Sequence, residues 1–307
     1  MKISDDFDLN LVEALRTVGD WVRWGCSQLG ANDVFFGHGT DNPADEARAL
    51  VFAALALDHE VPDYFYHSRL TEAERAGVLD LFRRRIQDRV PLPYLTGEAW
   101  FAGLRFKVDE RVLIPRSPIA EMVQHGFEPW LPMAEPGRVL DLCTGSGCIA
   151  IACAYAFLEA EIVASDINPE ALEVARENVQ RHGLESRVTV LHSDLYAGLG
   201  EQTFDLIVTN PPYVPASSMA LLPAEYLHEP SDALEADENG LKLVKAIVRD
   251  AARYLTADGV LVVEVGESRD ATAEALSGLP LSWVEFDMGG DGVFVLSALD
   301  LKNAADF

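Results

Sequence analysis

From Arg138 onward the chain alternates short apolar segments with segments of helical periodicity, and this alternation constrains the fold more than any other feature. The apolar segments have the length of strands and read RVLDLC, EIVASDI, VTVLHSD, FDLIVTN and VLVVEVG. Helical segments such as PEALEVARENVQRHG and GLKLVKAIVRDAARYL stand between them. Strands joined by crossover helices form parallel sheets. The pattern predicts an α/β, Rossmann-like doubly wound sheet that binds its ligands beyond the carboxyl ends of the strands.

The rest of the chain divides into regions of different periodicity. Residues 1–92 carry apolar residues at helical spacing, as in LVEALRTVGDWVRWGC, and predict a small helical domain. Its basic stretch LFRRRIQDR indicates a helical face, for which we favour exposure to solvent over a dedicated binding surface. Residues 93–117 mix glycines with aromatic and β-branched residues, which favours a hairpin hinge rather than another helix. Residues 118–307 contain the predicted sheet, whose last two strands, SWVEFDM and VFVLSAL, should pair antiparallel at the edge.

Net charge is large and unevenly distributed. The 307 residues carry a formal charge of −26, of which −5 falls on residues 1–117 and −21 on residues 118–307. Such a field repels polyanions and steers a basic partner towards the sheet domain. Solubility explains the charge equally well, so composition alone leaves both interpretations open.

Composition also bears on location and on metal binding. No apolar run approaches the roughly 20 residues that span a bilayer. The first ten residues, MKISDDFDLN, are acidic where a secretion signal would be basic and then apolar, so we expect a cytoplasmic protein without membrane contact. The spacing of Cys143, Cys148 and Cys153 does not match a zinc site, and with Cys26 these are too few for a disulfide framework. We expect buried thiols and no bound metal.

A glycine loop and three aspartates follow the first three strands of the sheet. Gly145 and Gly147 permit a tight turn at which a ligand can lie against bare backbone, although dinucleotide enzymes share such a pair. Asp141 at the entrance of the loop would repel a pyrophosphate but suits a ligand that carries an ammonium group. Asp166 ends the second strand, where a carboxylate accepts hydrogen bonds from ribose hydroxyls. Asp194 follows the third strand and can accept from the exocyclic amine of an adenine. We expect all five residues to bind one ligand, for which S-adenosylmethionine fits best.

The fourth strand ends in NPPY, residues 210–213. Two prolines remove two N–H donors and leave carbonyl oxygens without local partners. The side-chain oxygen of Asn210 and the backbone oxygen of Pro211 can together accept both hydrogens of a planar NH₂ group. Tyr213 offers a ring against which that group can stack. We assign Asn210, Pro211 and Tyr213 to catalysis, these three with Pro212 to substrate binding, and Asn210 also to the cofactor site.

Some polar residues near these motifs receive no role. His192 and His228 stand alone in a strand and a loop, where histidines are more often structural. Glu264 ends the fifth strand and could face the pocket, but the charge pattern of its loop explains it equally well.

Together, DLCTGSGCIAI, SDINPEAL, NPPYV and LHEPSDALEADENGLKLV resemble the HemK-like protein glutamine methyltransferases. The resemblance extends over nearly the whole chain, and the segments VDERVLIPRSPIAE and VVEVGES are more similar to the branch acting on the third protein of the large ribosomal subunit. It implies a class I S-adenosylmethionine-dependent methyltransferase that methylates the side-chain amide of a glutamine. It also implies that the helical domain binds the part of a basic ribosomal protein that surrounds the target glutamine. Phe101 is implied to pack over that glutamine.

Three alternatives remain open at this point. The first is the release-factor branch of the same family, in which the arginine of the VLIPR segment is followed by proline instead of Ser117. The second is methylation of adenine or cytosine amines in nucleic acid, which the acidic charge of the sheet domain disfavours. The third is a non-catalytic adaptor, which would be expected to lose Asp166, Asn210 or Tyr213; all three are present.

Overall fold

The computed structural model describes residues 14–237 and 240–303. The part of the predicted helical pattern before residue 14 lies outside the described residues, as do residues 238 and 239 of the LHEPSDALEADENGLKLV motif. The chain falls into two compact units. The helical unit contains the residues up to Glu98 together with Pro223–His228, and the sheet unit contains Ala99–Leu222 and the residues from Glu229 onward. The division after Glu98 falls inside the segment predicted to be a hinge.

Helices build the first unit, as its periodicity predicts. Within its described part they are α1 (Val18–Ala31), α2 (Pro43–Ala54), α3 (Glu72–Ile86) and α4 (Leu92–Thr96), with 3₁₀ turns at Asp63–His67 and Ala224–His228. Thr17 and Thr71 begin α1 and α3 with capping boxes, which satisfy backbone N–H groups that a helix start leaves free.

Aromatic side chains fill the core of this unit. The rings of Trp21 and Phe82 each lie 5.4 Å from the ring of Trp24, in edge-to-face contacts. A Cβ at Gly25 would stand 2.1 Å from the Phe82 ring, so α1 can approach α3 this closely only with glycine at that position.

One arginine of the basic stretch LFRRRIQDR, Arg85, does not face solvent as the sequence favoured, whereas Arg83 and Arg84 are half-exposed. Arg85 is 1% exposed. Its Nε donates to Glu46 of α2, its Nη1 donates to Glu225 at 3.0 Å, and its Nη2 donates to the Phe35 carbonyl at 2.6 Å. Burial alone would raise the pKa of Glu225, but the hydrogen bonds from Arg85 and from backbone N–H groups hold that pKa below its usual value. The prediction was wrong for Arg85 because both acidic partners are distant in sequence.

The segment predicted as a hairpin begins with the short helix α4, which the sequence did not predict. Pro93 fits the first turn of a helix, where its missing N–H has no partner to lose, and Gly97 ends the helix at a φ of +73°. The predicted hairpin follows as β1 (Glu98–Phe101) and β2 (Leu104–Lys107). Ala102 and Gly103 between them both have positive φ, as a tight two-residue hairpin turn requires.

Strands β3 to β6 and β9 to β11 form a seven-stranded sheet within the described residues. Along the chain, the helices and strands after the hairpin are α5 (Ile119–Gln124), β3 (Arg138–Leu142), α6 (Cys148–Ala156), β4 (Glu161–Asp166), α7 (Pro169–Arg181), β5 (Val188–His192), β6 (Phe204–Thr209), β7 (Val214–Pro215), α8 (Ala216–Met219), β8 (Glu235–Ala236), α9 (Lys242–Tyr254), β9 (Leu255–Glu264), α10 (Arg269–Ala275), β10 (Ser282–Trp283), β11 (Val293–Ser297) and α11 (Ala298–Asn303).

The order of strands in this sheet is β10–β11–β9–β6–β3–β4–β5. Neighbours from β9 to β5 pair in parallel, while β11 is antiparallel to β9 and β10 is antiparallel to β11. The predicted doubly wound sheet with an antiparallel edge pair is therefore confirmed. Separately, β7 and β8 form a short parallel pair.

Apolar side chains cover both faces of the sheet. In β3, Val139 packs into a cluster with Ile151 of α6, whereas the next residue, Leu140, packs into a cluster with Ile247 of α9. A strand buried on both faces needs consecutive apolar residues, which explains the unbroken apolar runs in the sequence. Among residues 14–237 and 240–303, no helix combines the length and apolar character needed to cross a membrane.

Candidate active site

Four neighbouring parallel strands bring the predicted site residues to one edge of the sheet. Because β5, β4, β3 and β6 lie side by side in one direction, the loops that follow them meet at their carboxyl ends. These loops line one cavity. Among the residues assigned from sequence, those lining it are Gly145, Asp166, Asp194, Asn210 and Pro212.

The glycine loop joins β3 to α6. Gly147 begins α6 at a φ of +81°, and a Cβ there would stand 3.3 Å from the Cβ of Ala175 in α7. Glycine therefore serves both the turn and the close approach of the two helices. Gly145 has a φ of +53°, and a Cβ built there would meet no atom of the described residues within 4 Å. Its face towards the cavity is open, and its N–H donates to Asp166 at 2.9 Å.

Asp141 lies beneath this loop and does not line the cavity. It is fully buried, and its Oδ2 accepts from Thr144 Oγ1 at 2.5 Å and from the Ala150 N–H at 3.0 Å. The expectation of direct contact with a ligand ammonium group is not supported by this placement, since the carboxylate instead ties the loop to α6. Its Oδ1 has no hydrogen-bond partner among the residues that the structure describes.

Burial raises the pKa of Asp141 to about 7, against hydrogen bonds from Thr144 and Ala150 that lower it. A carboxyl group with a raised pKa in the folded state stabilises the protein at low pH, and that stability is lost as pH rises through the folded pKa. Carboxyl groups with lowered pKa, such as Glu121 and Glu225, are charged in both states above about pH 5, so they do not contribute to the slope there.

We therefore expect the free energy of unfolding of the ligand-free protein to fall between pH 5 and pH 8, and to fall less in Asp141→Asn. Only about two of the three pKa units of the shift lie above pH 5, so Asp141 contributes at most about 3 kcal/mol to this fall. Urea unfolding at intervals of half a pH unit measures the difference, with the exposed Asp258→Asn as the control. Equal slopes in the wild type and Asp141→Asn would contradict the expectation.

Asp166 ends β4 and stands at the wall of the cavity. Its Oδ1 accepts from the Asn168 N–H and its Oδ2 from the Gly145 N–H, both at 2.9 Å. Burial raises its pKa, although these backbone hydrogen bonds oppose the shift. Asp194 lies two residues beyond β5, exposed at the same edge. The two carboxylates follow neighbouring strands, as the sequence predicted.

NPPY follows β6 directly. Thr209 Oγ1 donates to the Leu142 carbonyl at 2.8 Å, which ties the end of β6 to the end of β3 and places Asn210 beside the glycine loop. Pro211 is buried, and the Tyr213 hydroxyl donates to Glu264 at 3.2 Å. Asn210 and Pro212 thus line the cavity, while the phenol of Tyr213 is hydrogen-bonded to Glu264 in the interior of the protein.

Several residues of the site escaped the sequence analysis. Arg116 lines the cavity, and its Nη1 donates to the buried Glu229 at 2.9 Å; the same Oε2 accepts from the Ile114 N–H at 3.0 Å. Arg111 also lines the cavity and is paired with Asp109. The VLIPR and HEPSDAL segments therefore meet through one carboxylate. Both segments belong to the motifs that resemble the methyltransferase family, and this was the only sign in the sequence that they act together. The spacing of the two segments along the chain does not predict their contact.

Phe101 does not take the place that the resemblance implied. It is 4% exposed and packs in the core beside Phe106, with ring centroids 6.4 Å apart. It is absent from the cavity lining, so a role over the target is not supported. His192 contacts the Ile167 carbonyl at 2.9 Å and His228 contacts the Asp88 carbonyl at 2.8 Å, in keeping with structural roles.

Known proteins share this arrangement of sequence and fold. The model of the Methyltransferase small domain matches residues 127–237. The ribosomal protein uL3 glutamine methyltransferase of Francisella tularensis is 45% identical over 298 residues, covering 97% of this chain and 95% of that protein. The protein of the same description from Xanthomonas campestris is 47% identical over 289 residues, covering 94% of each chain.

Among solved structures, the catalytic domain of hMettl16 in complex with the MAT2A 3'UTR hairpin 6 aligns with a TM-score of 0.51 at 18% identity. The alignment covers 73% of this chain and 80% of that chain, and it bears on the fold alone. The sheet unit accordingly has the class I methyltransferase fold. With relatives above 40% identity along almost its full length, this chain belongs to the ribosomal protein uL3 glutamine methyltransferase family.

Proposed function

We propose that this protein transfers a methyl group from S-adenosylmethionine to the side-chain amide nitrogen of a glutamine in ribosomal protein uL3. The observation that carries the proposal is that one cavity is lined by an open glycine loop, two strand-terminal carboxylates and the asparagine of NPPY. The names of the two curated relatives supply the substrate.

The residues around the cavity fit the proposed cofactor. Asp166 and Asp194 offer carboxylate acceptors for the hydroxyl and amine groups of a nucleoside. The open face of Gly145 allows a ligand to lie against backbone. Arg116 and Arg111 at the cavity are neutralised by carboxylates and form no phosphate cradle. Asp141 Oδ1, which has no hydrogen-bond partner among the described residues, is a buried acceptor beneath the glycine loop.

The proposed mechanism depends mainly on positioning. When bound, S-adenosylmethionine would supply an electrophilic methyl on a sulfonium; methylation of the amide nitrogen would leave a thioether and release one proton from that nitrogen to water. Asn210 and Pro211 accept the two N–H groups of the amide and so fix its nitrogen. Such orientation can contribute as much as roughly 7–11 kcal/mol to lowering the barrier. Tyr213 limits the tilt of the amide, and Pro212 contributes to the wall.

The helical domain at residues 1–92 is proposed to bind the part of the substrate protein that surrounds the target glutamine. Residues 93–117 are proposed as a hinge, and residues 118–307 as the catalytic domain. The charge of −21 on residues 118–307 suits a basic ribosomal protein and would repel nucleic acid. The proposed place of action is the cytoplasm, where ribosomal proteins are made.

Mass spectrometry of purified uL3 and of a peptide release factor tests the proposal after incubation with methyl-labelled S-adenosylmethionine. We expect a single added methyl on a glutamine of uL3 and none on the release factor. Methylation of the release factor alone would assign the chain to the other substrate, and labelling of neither would overturn the proposal.

Replacement of Asp166 by alanine should weaken binding of S-adenosylmethionine about 10- to 100-fold, since hydrogen bonds to charged groups contribute roughly 1.5–3 kcal/mol. Calorimetry measures this affinity directly. Asp166→Asn keeps an acceptor for the Gly145 N–H and should recover part of the loss, whereas the exposed Asp258→Ala should bind as the wild type does. Full affinity in Asp166→Ala would remove Asp166 from the cofactor site.

A further inference from the structure

Glu264 ends β9 inside the protein, next to NPPY. It is 4% exposed, and its two carboxylate oxygens have different partners. Oε2 accepts from the hydroxyl of Ser117, and Oε1 accepts from the hydroxyl of Tyr213 at 3.2 Å. Ser117 in turn accepts from the Ile119 N–H at 3.1 Å, which fixes its hydroxyl at the start of α5. A buried carboxylate therefore joins the end of β9, the PRSP segment and the phenol of Tyr213.

Other contacts restrict Tyr213 to one position. Its carbonyl accepts from Ser268 Oγ at 3.0 Å. A Cβ at Gly266 would stand 2.7 Å from Cε2 and 3.0 Å from the hydroxyl oxygen of the Tyr213 ring. A Cβ at Gly240 would stand 2.2 Å from the Tyr213 carbonyl oxygen. Tyr213 fills the space that a side chain would need at Gly266 and at Gly240. Its ring and its backbone are therefore both confined by close packing.

We infer that Glu264 is a positioning residue for methyl transfer, which holds the phenol of Tyr213 so that the ring presents a fixed surface to the target amide. This inference rests on the proposed function, since Tyr213 is there assigned to the substrate. Neither Glu264 nor Tyr213 is among the residues that line the cavity, but Pro212, directly before Tyr213, does line it. Glu264 therefore acts through Tyr213, at the margin of the cavity. In its charged form it only accepts hydrogen bonds, so both hydroxyls must donate to it and the network has one arrangement.

Protonation of Glu264 would change that arrangement. The groups facing it are the hydroxyls of Ser117 and Tyr213 and, as a charge, Arg116, which is itself paired with Glu229. Burial raises the pKa of Glu264 to about 7, and the two hydrogen bonds and Arg116 oppose that shift. Below pH 7 the protonated carboxyl can donate to the phenol oxygen, so the phenol no longer has to donate and the ring is held less firmly.

We expect Glu264→Gln to lower kcat about 10-fold or more on uL3, with the KM for S-adenosylmethionine changed less than 2-fold, because the lost contact positions the substrate side of the site. In the wild type kcat should rise with pH through about 7, and in Glu264→Gln this rise should be absent. Ser117→Ala removes a hydrogen bond that lowers the pKa of Glu264, so the midpoint of the rise should move to higher pH.

A spectroscopic test on the whole protein needs no substrate. With ¹³Cζ-labelled tyrosine, the resonance of Tyr213 is assigned by its loss in Tyr213→Phe. It should shift with a midpoint near pH 7 in the wild type and should not shift over that range in Glu264→Gln. A Tyr213 resonance that does not move, or that moves alike in both proteins, would overturn the inference whether or not uL3 is the substrate.

Glu121→Gln is the matched control, since Glu121 is also buried and accepts two hydrogen bonds, from the Asp287 and Met288 N–H groups. It should leave the Tyr213 titration and the pH dependence of kcat unchanged. If wild-type protein fails to methylate uL3 but Tyr213 titrates as described, the proposed substrate is wrong and the coupling of Glu264 to Tyr213 stands. If Glu264→Gln methylates uL3 with the same kcat and pH profile as the wild type, the inference about Glu264 is wrong while the proposed function stands.

Discussion

Replacing Asn210 by alanine is expected to lower turnover on uL3 by roughly a hundredfold or more while leaving the affinity for S-adenosylmethionine nearly intact. The reason is that the side-chain oxygen orients the target amide, and an amide held by the Pro211 carbonyl alone retains rotational freedom. Asn210 lines the cavity beside the glycine loop, where such a contact can be made.

Steady-state kinetics with uL3, together with calorimetry for the cofactor, separate the two effects. Asn303→Ala, at an exposed position in α11, is the matched control and should behave as the wild type. A loss confined to cofactor binding would show that Asn210 serves the nucleoside and not the substrate.

The second large effect is expected in the helical unit. Arg85→Met leaves the buried carboxylate of Glu46 without its cation and leaves Glu225 only the more distant Arg89, at 3.6 Å. Breaking a buried ion pair in this way costs about 3–5 kcal/mol. Glu46 and Glu225 are each 2% exposed, so water does not replace the lost donors. We expect a correspondingly lower urea midpoint, followed by far-UV circular dichroism.

Arg84→Met, at a half-exposed position on the same helix, is the control and should change stability by less than about 0.5 kcal/mol. Combining Arg85→Met with Glu46→Gln and Glu225→Gln removes the uncompensated charges and should recover much of the loss. An Arg85→Met protein as stable as the wild type would show that the cluster contributes little to folding.

The sheet and the edge of it that carries the site could be predicted from sequence because their signals are local. A glycine turn such as that at Gly145 and Gly147, and a strand that ends in prolines, each depend on neighbouring residues. The parallel order then brings the ends of separate strands together without any need to know individual contacts. For this reason the sequence predicted that Asp166, Asp194 and Asn210 lie at one edge of the sheet, and all three line the cavity at that edge.

What the sequence could not show depends on pairs far apart in the chain. Ser117 and Glu264 are 147 residues apart, and Arg85 and Glu225 are 140 apart. No periodicity links such residues, so Arg85 was taken for an exposed charge and Glu264 was left without a role. Asp141 shows a related limit, because position at a strand end did not reveal whether its carboxylate faces the cavity or the loop behind it.

The proposed grip of Asn210 and Pro211 on the target amide can be tested by a crystal structure of the protein with S-adenosylhomocysteine and a glutamine-bearing segment of uL3. We expect the glutamine side-chain nitrogen to lie within about 3 Å of both the Asn210 side-chain oxygen and the Pro211 carbonyl oxygen, next to the sulfur of the nucleoside. A glutamine bound elsewhere, or an Asn210 side chain turned away from a bound nucleoside, would contradict it.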